Sequence, residues 1–239
     1  MNNINVLIPM AGLGSRFAEQ GYKKPKPLID VDGVPMIRAV VNSLNIKANY
    51  IFIVQKQHSI QYHLQDVLDE MVPGCRIIEI DGLTDGAAST TLAAKDYINN
   101  DNLLIIANSD QIIKWDSRKF LRLLKTLDGM IATFKETEKD PKWSYSETVG
   151  NLLLRVAEKE VISDKANVGI YGFKKGSDYV KYVEQMIDKN IKINNEFYVA
   201  PVYNELIADE KIVFTFDVDE MHGVGTPEDL RTYLDKNRT

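Results

Sequence analysis

The sequence predicts an α/β fold: a single Rossmann-like domain over residues 1–239, built on a mixed, mostly parallel central sheet. Three observations lead there. Short β-branched runs alternate with helically spaced apolar residues through the N-terminal half, the pattern of a doubly wound sheet with right-handed crossovers. The run Leu103-Leu104-Ile105-Ile106-Ala107 is apolar throughout, as a strand covered on both faces should be. A glycine-rich turn directly follows the first strand, where open α/β sheets bind ligands.

Residues 5–10 read as the first strand and 35–44 as a helix with proline near its first turn. Residues 50–54 make a second strand. A helix then carries Ile60, Leu64, Val67, Leu68 and Met71 as an apolar stripe. Residues 76–80 form a third strand, 84–99 contain a helix, and 103–107 are the fourth strand. Further strands are expected at 130–135, 151–156, 167–173 and 211–216, and helices at 175–189, 198–207 and 227–236. The polar, aromatic stretch 135–148 reads as a surface excursion. No linker or internal repeat divides the chain.

Composition removes several function classes. The 239 residues carry 29 Lys plus Arg against 34 Asp plus Glu, a net charge of −5, which opposes bulk nucleic-acid binding but leaves room for a local basic pocket. One cysteine, Cys75, excludes an intrachain disulfide and a Cys-based zinc site. No stretch approaches the roughly 20 apolar residues that span a bilayer. No basic segment leads into an apolar run at the start. The expectation is a cytoplasmic protein partnered with neither nucleic acid nor membrane; oligomeric state has no signature in the sequence.

The strongest local signal is Met10-Ala11-Gly12-Leu13-Gly14-Ser15-Arg16-Phe17. Glycines admit positive φ and let backbone N–H groups approach phosphate oxygens, and an arginine adds a charged contact. A dinucleotide fingerprint fails because its third glycine is Phe17, and a Walker loop fails because no G-K-[ST] follows. A plain strand-to-helix turn leaves the neighbouring Lys23-Lys24-Pro25-Lys26-Pro27-Leu28 and Gly33-Val34-Pro35-Met36 unexplained.

Together these runs resemble the nucleotidyltransferase family with a nucleotide-diphospho-sugar-transferase fold, in its A-G-x-G-[ST]-R, P-K-x-L and G-x-P-[ML] motifs. The resemblance implies that Ala11, Gly12, Leu13, Gly14 and Ser15 wrap a nucleoside triphosphate, and that Arg16 and Lys26 stabilise the transferring phosphoryl group. Fixed cations beside a pentavalent phosphate lower that barrier. Asp85-Gly86-Ala87-Ala88-Ser89-Thr90 looks like the family's base-binding segment, pointing to Gly86, with Ser89 or Thr90 able to hydrogen-bond the base edge or a phosphate; an ordinary capped helix start is the alternative. Asn108-Ser109-Asp110-Gln111 resembles the motif whose aspartate holds Mg²⁺, implying Asp110. The late motif D-[VT]-G-T-P-E-D departs here, because Gly223 stands in the aspartate's place. Asp219 is the favoured substitute metal ligand, ahead of Asp217 and His222.

On the acceptor side the family likeness is looser. It implies Lys159 from Glu158-Lys159, Gly169 and Tyr171 from Gly169-Ile170-Tyr171-Gly172-Phe173, and Glu196 from Asn195-Glu196-Phe197. The resemblance favours the cytidylyltransferase branch and, within it, capsule-pathway members. It thus implies Mg²⁺-dependent transfer of CMP from CTP onto a phosphorylated small molecule such as phosphoglutamine. A sugar-1-phosphate nucleotidyltransferase using UTP or dTTP, and a non-catalytic nucleotide-binding module, are the competing readings.

Overall fold

In the computed structural model, which describes residues 4–237, Ile4–Pro9 forms β1, with Val6, Leu7 and Ile8 fully buried. The glycine turn leads into a five-residue α1 (Ser15–Glu19), a short 3-10 turn at Lys26–Leu28, and a hairpin of β2 (Asp30–Val31) and β3 (Val34–Pro35). Asp32 and Gly33 at its tip have φ of 54° and 85°, the paired positive values that an Asp-Gly hairpin turn supplies. Met36, Ile37, Val40, Val41 and Leu44 form the buried stripe of α2 (Met36–Leu44). β4 (Asn49–Gln55) follows.

The helix expected across Ile60 to Met71 is two helices, α3 (Lys56–Tyr62) and α4 (Leu64–Met71). His63 at φ 50° separates them and turns Ile60 off the stripe, leaving it 66% exposed while Leu64 and Leu68 are buried. After β5 (Arg76–Ile80), the expected helix is α5 (Ala87–Thr91) and α6 (Lys95–Ile98), joined by a 3-10 turn. β6 (Leu103–Ala107), β7 (Gln111–Lys114) and α7 (Ser117–Leu124) come next. The chain continues through β8 (Gly129–Lys135), β9 (Ser144–Val149), β10 (Leu152–Glu158), β11 (Lys165–Phe173), α8 (Gly176–Asp188) and α9 (Val202–Ala208). It ends with β12 (Val213–Asp217), β13 (Glu220–Gly223) and α10 (Pro227–Asn237).

Nine strands form one mixed sheet in the order β5-β4-β1-β6-β11-β8-β12-β10-β9. The N-terminal strands β5, β4, β1 and β6 are parallel, as their alternation with helices requires. At β6 the sheet turns antiparallel, and beyond it only β8 and β12 run parallel. Alternate residues serve opposite cores: Leu7, Ile53 and Ile106 pack under α8 and α9, while Val6, Phe52 and Ile105 face α2, α4 and α7.

The expected surface excursion instead contains β9. Tyr145 and Ser146 are fully buried. Its polar residues satisfy one another: Ser146 Oγ donates to Asn167 Oδ1 (2.6 Å) and Asn167 Nδ2 to Ser144 Oγ (2.9 Å). β7 and β13 form a separate ribbon beside the main sheet. Among the described residues no helix is long and apolar enough to cross a membrane.

Candidate active site

A cleft of about 310 Å³ opens beyond the C-terminal ends of β1, β5 and β6. Its walls include Ala11, Gly12, Gly14, Lys26, Thr84, Gly86, Thr90, Asn108, Asp110 and Glu196. The glycines of the first loop differ in kind. Gly14 is left-handed (φ 64°), and a Cβ there would lie 3.0 Å from Lys26 Cβ. Its carbonyl accepts from the backbone N–H of Phe17 (3.0 Å) and of Ala18 (3.3 Å), starting α1. Gly12 has an ordinary φ, and a Cβ there would meet nothing within 4 Å, so the protein's own packing does not require glycine. Leu13, Ser15 and Arg16 are exposed and lie outside the cleft wall.

On the cleft floor Lys26 Nζ donates to Asp110 Oδ2 at 2.7 Å, and each side chain is only about one-fifth exposed (23% and 19%). Two residues that the sequence separates by 84 positions thus form one pair. The late glycine run backs this pair. Val224 N–H donates to the Asp110 carbonyl (2.9 Å), and a Cβ on Gly225 would lie 2.5 Å from Asp110 Oδ2. Thr226 Oγ donates to Asp229 Oδ2 (2.8 Å) and accepts from the Asp229 N–H (3.1 Å), capping α10.

Asp219 does not join Asp110. Its N–H donates to the Lys114 carbonyl at the far end of β7, while Gly223 pairs with Gln111 at the near end. At about 3.3 Å per strand residue, the four steps from Asp110 to Lys114 place Asp219 roughly 13 Å away, too far to share an ion. The expected alternation of Asp217 and Asp219 fails because the chain breaks between β12 and β13. Asp217 accepts from Thr133 (2.7 Å) and Lys165 (3.1 Å), and His222 packs against Tyr233. A Cβ on Gly223 would face the Trp143 ring (3.5 Å) and Asp229 (4.0 Å).

Gly86 has a structural reason to be glycine. Its φ is 107°, and a Cβ would come within 2.6 Å of the Phe197 carbonyl. Phe197 N–H donates to the Asp85 carbonyl (2.7 Å) and its own carbonyl accepts from Ala88 N–H (2.9 Å), so two chain segments cross there. Asn194 and Asn195, at φ 50° and 64°, turn the chain so that Glu196 enters the cleft wall beside Gly86. Ser89 lies outside the wall; Thr84 and Thr90 line it, and their hydroxyls bond each other at 2.6 Å. Helix phase, which the sequence motif leaves open, puts Thr90 in the wall and Ser89 outside it. Gln55, which stands in no motif, bridges the loops after β1 and β5 through the Ala11 and Gly82 carbonyls.

On the acceptor side Lys159 Nζ donates to Tyr198 Oη at 2.6 Å. Burial pushes the neighbouring Glu158 carboxyl up to about 7; Lys159 opposes the rise and Glu196 adds to it. Gly169 (φ 85°) sits under Asn108: its carbonyl accepts from the Asn108 N–H (2.9 Å), and a Cβ would collide with the Asn108 amide. It therefore supports the cleft wall from behind. Tyr171 is buried core beside Tyr203, and burial holds its hydroxyl well above the ordinary tyrosine range.

The described residues contain no group of three or more His, Cys, Asp or Glu able to cage an ion. A single carboxylate on a cleft floor fits Mg²⁺ held jointly with substrate phosphates and water.

This fold and cleft define an α/β protein with a ligand-sized cleft beyond the ends of its parallel strands, and comparison with known proteins narrows the class. The chain belongs to the Nucleotidyl transferase family, whose model matches residues 5–233. It is 26% identical over 247 residues to the bifunctional protein GlmU of Methanocaldococcus jannaschii, covering 99% of this chain and 56% of that protein. The chain thus spans about half the length of that curated relative. A 40-residue stretch, 17% of this chain and 16% of the relative, is 52% identical to a 2-aminoethylphosphonate cytidylyltransferase of Lancefieldella rimae. Among solved structures, a nucleoside-diphosphate-sugar pyrophosphorylase from Vibrio cholerae superposes with TM-score 0.84 at 24% identity, covering 96% of this chain and 99% of that one. The inositol-1-phosphate CTP transferase of T. maritima gives 0.73 at 14% identity, covering 96% and 93%. At these identities the likeness shows the fold.

Proposed function

We propose that residues 1–239 act as one nucleotidyltransferase domain that moves CMP from CTP onto a phosphorylated small metabolite and releases pyrophosphate. The observation that carries this reading is the Lys26–Asp110 pair under the glycine loop. It puts a fixed cation and an ion-holding carboxylate side by side where a triphosphate would lie. An acceptor phosphate oxygen attacks the α-phosphorus in line, a P–O bond forms, and the bond to the β-phosphate bridge breaks. A phosphate monoester is already anionic, so no general base is needed, and the protein supplies position and charge. The Lys26 ammonium neutralises charge gathering on the α-phosphate. Ala11, Gly12 and Gly14 shape the backbone that follows the triphosphate, and Arg16, exposed on α1 outside the cleft wall, would act on the phosphates only by swinging toward them. Thr84, Gly86 and Thr90 border the base, while Lys159 and Glu196 meet the acceptor. Asp110 would hold Mg²⁺, which neutralises phosphate charge when bound.

CTP is favoured by the short, highly similar stretch shared with a cytidylyltransferase and by the A-G-L-G-S-R form of the glycine loop. Phosphoglutamine, in a capsule pathway, is the proposed acceptor. Pyrophosphate release from each common NTP, with phosphorylated amino-acid amides, phosphocholine, aminoethylphosphonate and sugar phosphates, tests the reading. Release with CTP and an amide phosphate is the expected result. Release with UTP or dTTP and a sugar 1-phosphate would replace it, and no release with any pair would favour a nucleotide-binding module.

A further inference from the structure

The last residue of β4 reaches both of its neighbours. In the sheet β4 lies between β5 and β1, and the loops leaving those two strands form opposite sides of the cleft. Gln55, 7% exposed, donates from Nε2 to the Ala11 carbonyl at 2.7 Å and to the Gly82 carbonyl at 2.7 Å. Both acceptors are backbone carbonyls, so only the NH₂ end of the amide can face them, and both of its hydrogens are used. The two acceptors lie 44 and 27 positions away in sequence. Ala11 opens the loop proposed to follow the triphosphate. Gly82 (φ 76°) opens the loop that carries Thr84 and Gly86 toward the base. A nucleoside triphosphate fixes the spacing between its base and its phosphates, so a protein that holds both must fix the spacing of the two loops.

We infer that Gln55 is a positioning residue that sets the distance between the phosphate loop and the base loop, and so governs nucleotide affinity and base selectivity without touching the reacting atoms. This rests on the nucleotidyl-transfer reading of the cleft. A leucine at this position could not serve, because it presents no N–H donor to either carbonyl. The outer half of the base loop has separate anchors, in the Phe197 hydrogen bonds and in Lys192 bound to Asp85 (2.7 Å). Loss of the brace therefore frees the inner half without unravelling the loop.

The test compares the wild type with Gln55→Met, which keeps length and removes both donors, and Gln55→Glu, which keeps shape and, when ionised, turns an acceptor toward two carbonyls. The readouts are KM for NTP and for acceptor, kcat, Tm, and hydrogen exchange of residues 11–15 and 81–86 in the free protein. The expected result for Gln55→Met is a rise of about tenfold in KM for NTP, a smaller change in kcat and an unchanged acceptor KM. Exchange should quicken in both loops but not in β1 or β4. Gln55→Glu should show an NTP KM that climbs with pH as the carboxyl ionises, a dependence absent from Gln55→Met. Unchanged NTP KM in both variants, or a fall in Tm with both KM values moving in proportion, would overturn the inference. Absence of pyrophosphate release by the wild type with any NTP would instead overturn the functional reading, while the loop exchange still reports on the brace.

Discussion

The two walls of the cleft are built on different principles. The wall proposed for the nucleotide hangs from parallel strands, and its polar groups are backbone, the Thr84 and Thr90 hydroxyls, the Gln55 amide and the Lys26–Asp110 pair. The acceptor wall hangs from antiparallel strands in which polar residues are buried and matched to one another, as in Ser144, Ser146 and Asn167, with Glu158 held at a raised pKa behind it. A wall of backbone suits a ligand whose phosphates are common to every nucleotide. A wall of paired side chains can be changed residue by residue to suit an acceptor.

The largest effect should come from the ion-holding side of that contrast. Asp110→Asn keeps size but removes the charge a hard cation needs, and it unpairs Lys26. Pyrophosphate release should fall by about a thousandfold or more, the upper range for loss of a key electrostatic group. Near-normal turnover at ordinary Mg²⁺ would make Asp110 a structural partner of Lys26 only. Asp219→Ala, at the far end of the ribbon, should leave the Mg²⁺ requirement as it was.

Next in size is Lys26→Ala. Its charge matters most as the α-phosphate becomes pentavalent, so the loss belongs in kcat, on the order of a hundredfold, rather than in NTP binding. Equal losses in kcat and affinity would assign Lys26 to ground-state binding and weaken the distinction between a wall that binds and a floor that reacts.

The glycines sharpen the comparison within the nucleotide wall. Gly86→Ala forces a side chain into the Phe197 backbone at a left-handed φ, so Tm should drop by several degrees. Gly12→Ala meets no protein atom and should leave Tm unchanged, while raising KM for NTP by about tenfold if phosphate passes close to that backbone. Unchanged KM in Gly12→Ala would move the triphosphate away from the loop.

These pairs also show what could be read from the chain alone. Buried parallel strands announce themselves by apolar runs, so β1, β4 and β6 and the loops at their ends were legible, and the half-exposed edge strand β5 by its isoleucines, as were Lys26 and Asp110 as a shared neighbourhood. β9 was not, because residues that satisfy each other inside look polar in sequence. Ser89 and Thr90 could not be told apart as cleft-lining residues, because helix phase cannot be fixed by a motif of small residues. Asp219 was misplaced because no signal marks the break between β12 and β13. Gln55 carries no pattern at all; its meaning lies in two carbonyls that only the sheet order brings near it.

The smallest expected effect tests whether the wall proposed for the acceptor is tuned by its half-buried carboxylate, Glu158. Desolvation pushes the Glu158 carboxyl up to about 7 from its ordinary 4.5 in the folded chain. Between those values the folded state binds more protons than the unfolded state, so this group's contribution to stability falls as pH rises and is fully lost above about 7. Glu158→Gln removes that dependence. Its Tm should match the wild type near pH 4 and exceed it by a few degrees at pH 8, as calorimetry at the two pH values would show. The same ionisation alters the charge behind Lys159 and Glu196. Acceptor KM should therefore change two- to threefold between pH 6 and 8 in the wild type and much less in Glu158→Gln, with KM for NTP steady in both. If NTP KM follows pH as strongly as acceptor KM does, Glu158 acts on the cleft as a whole, and the division into two walls of different construction does not extend to function.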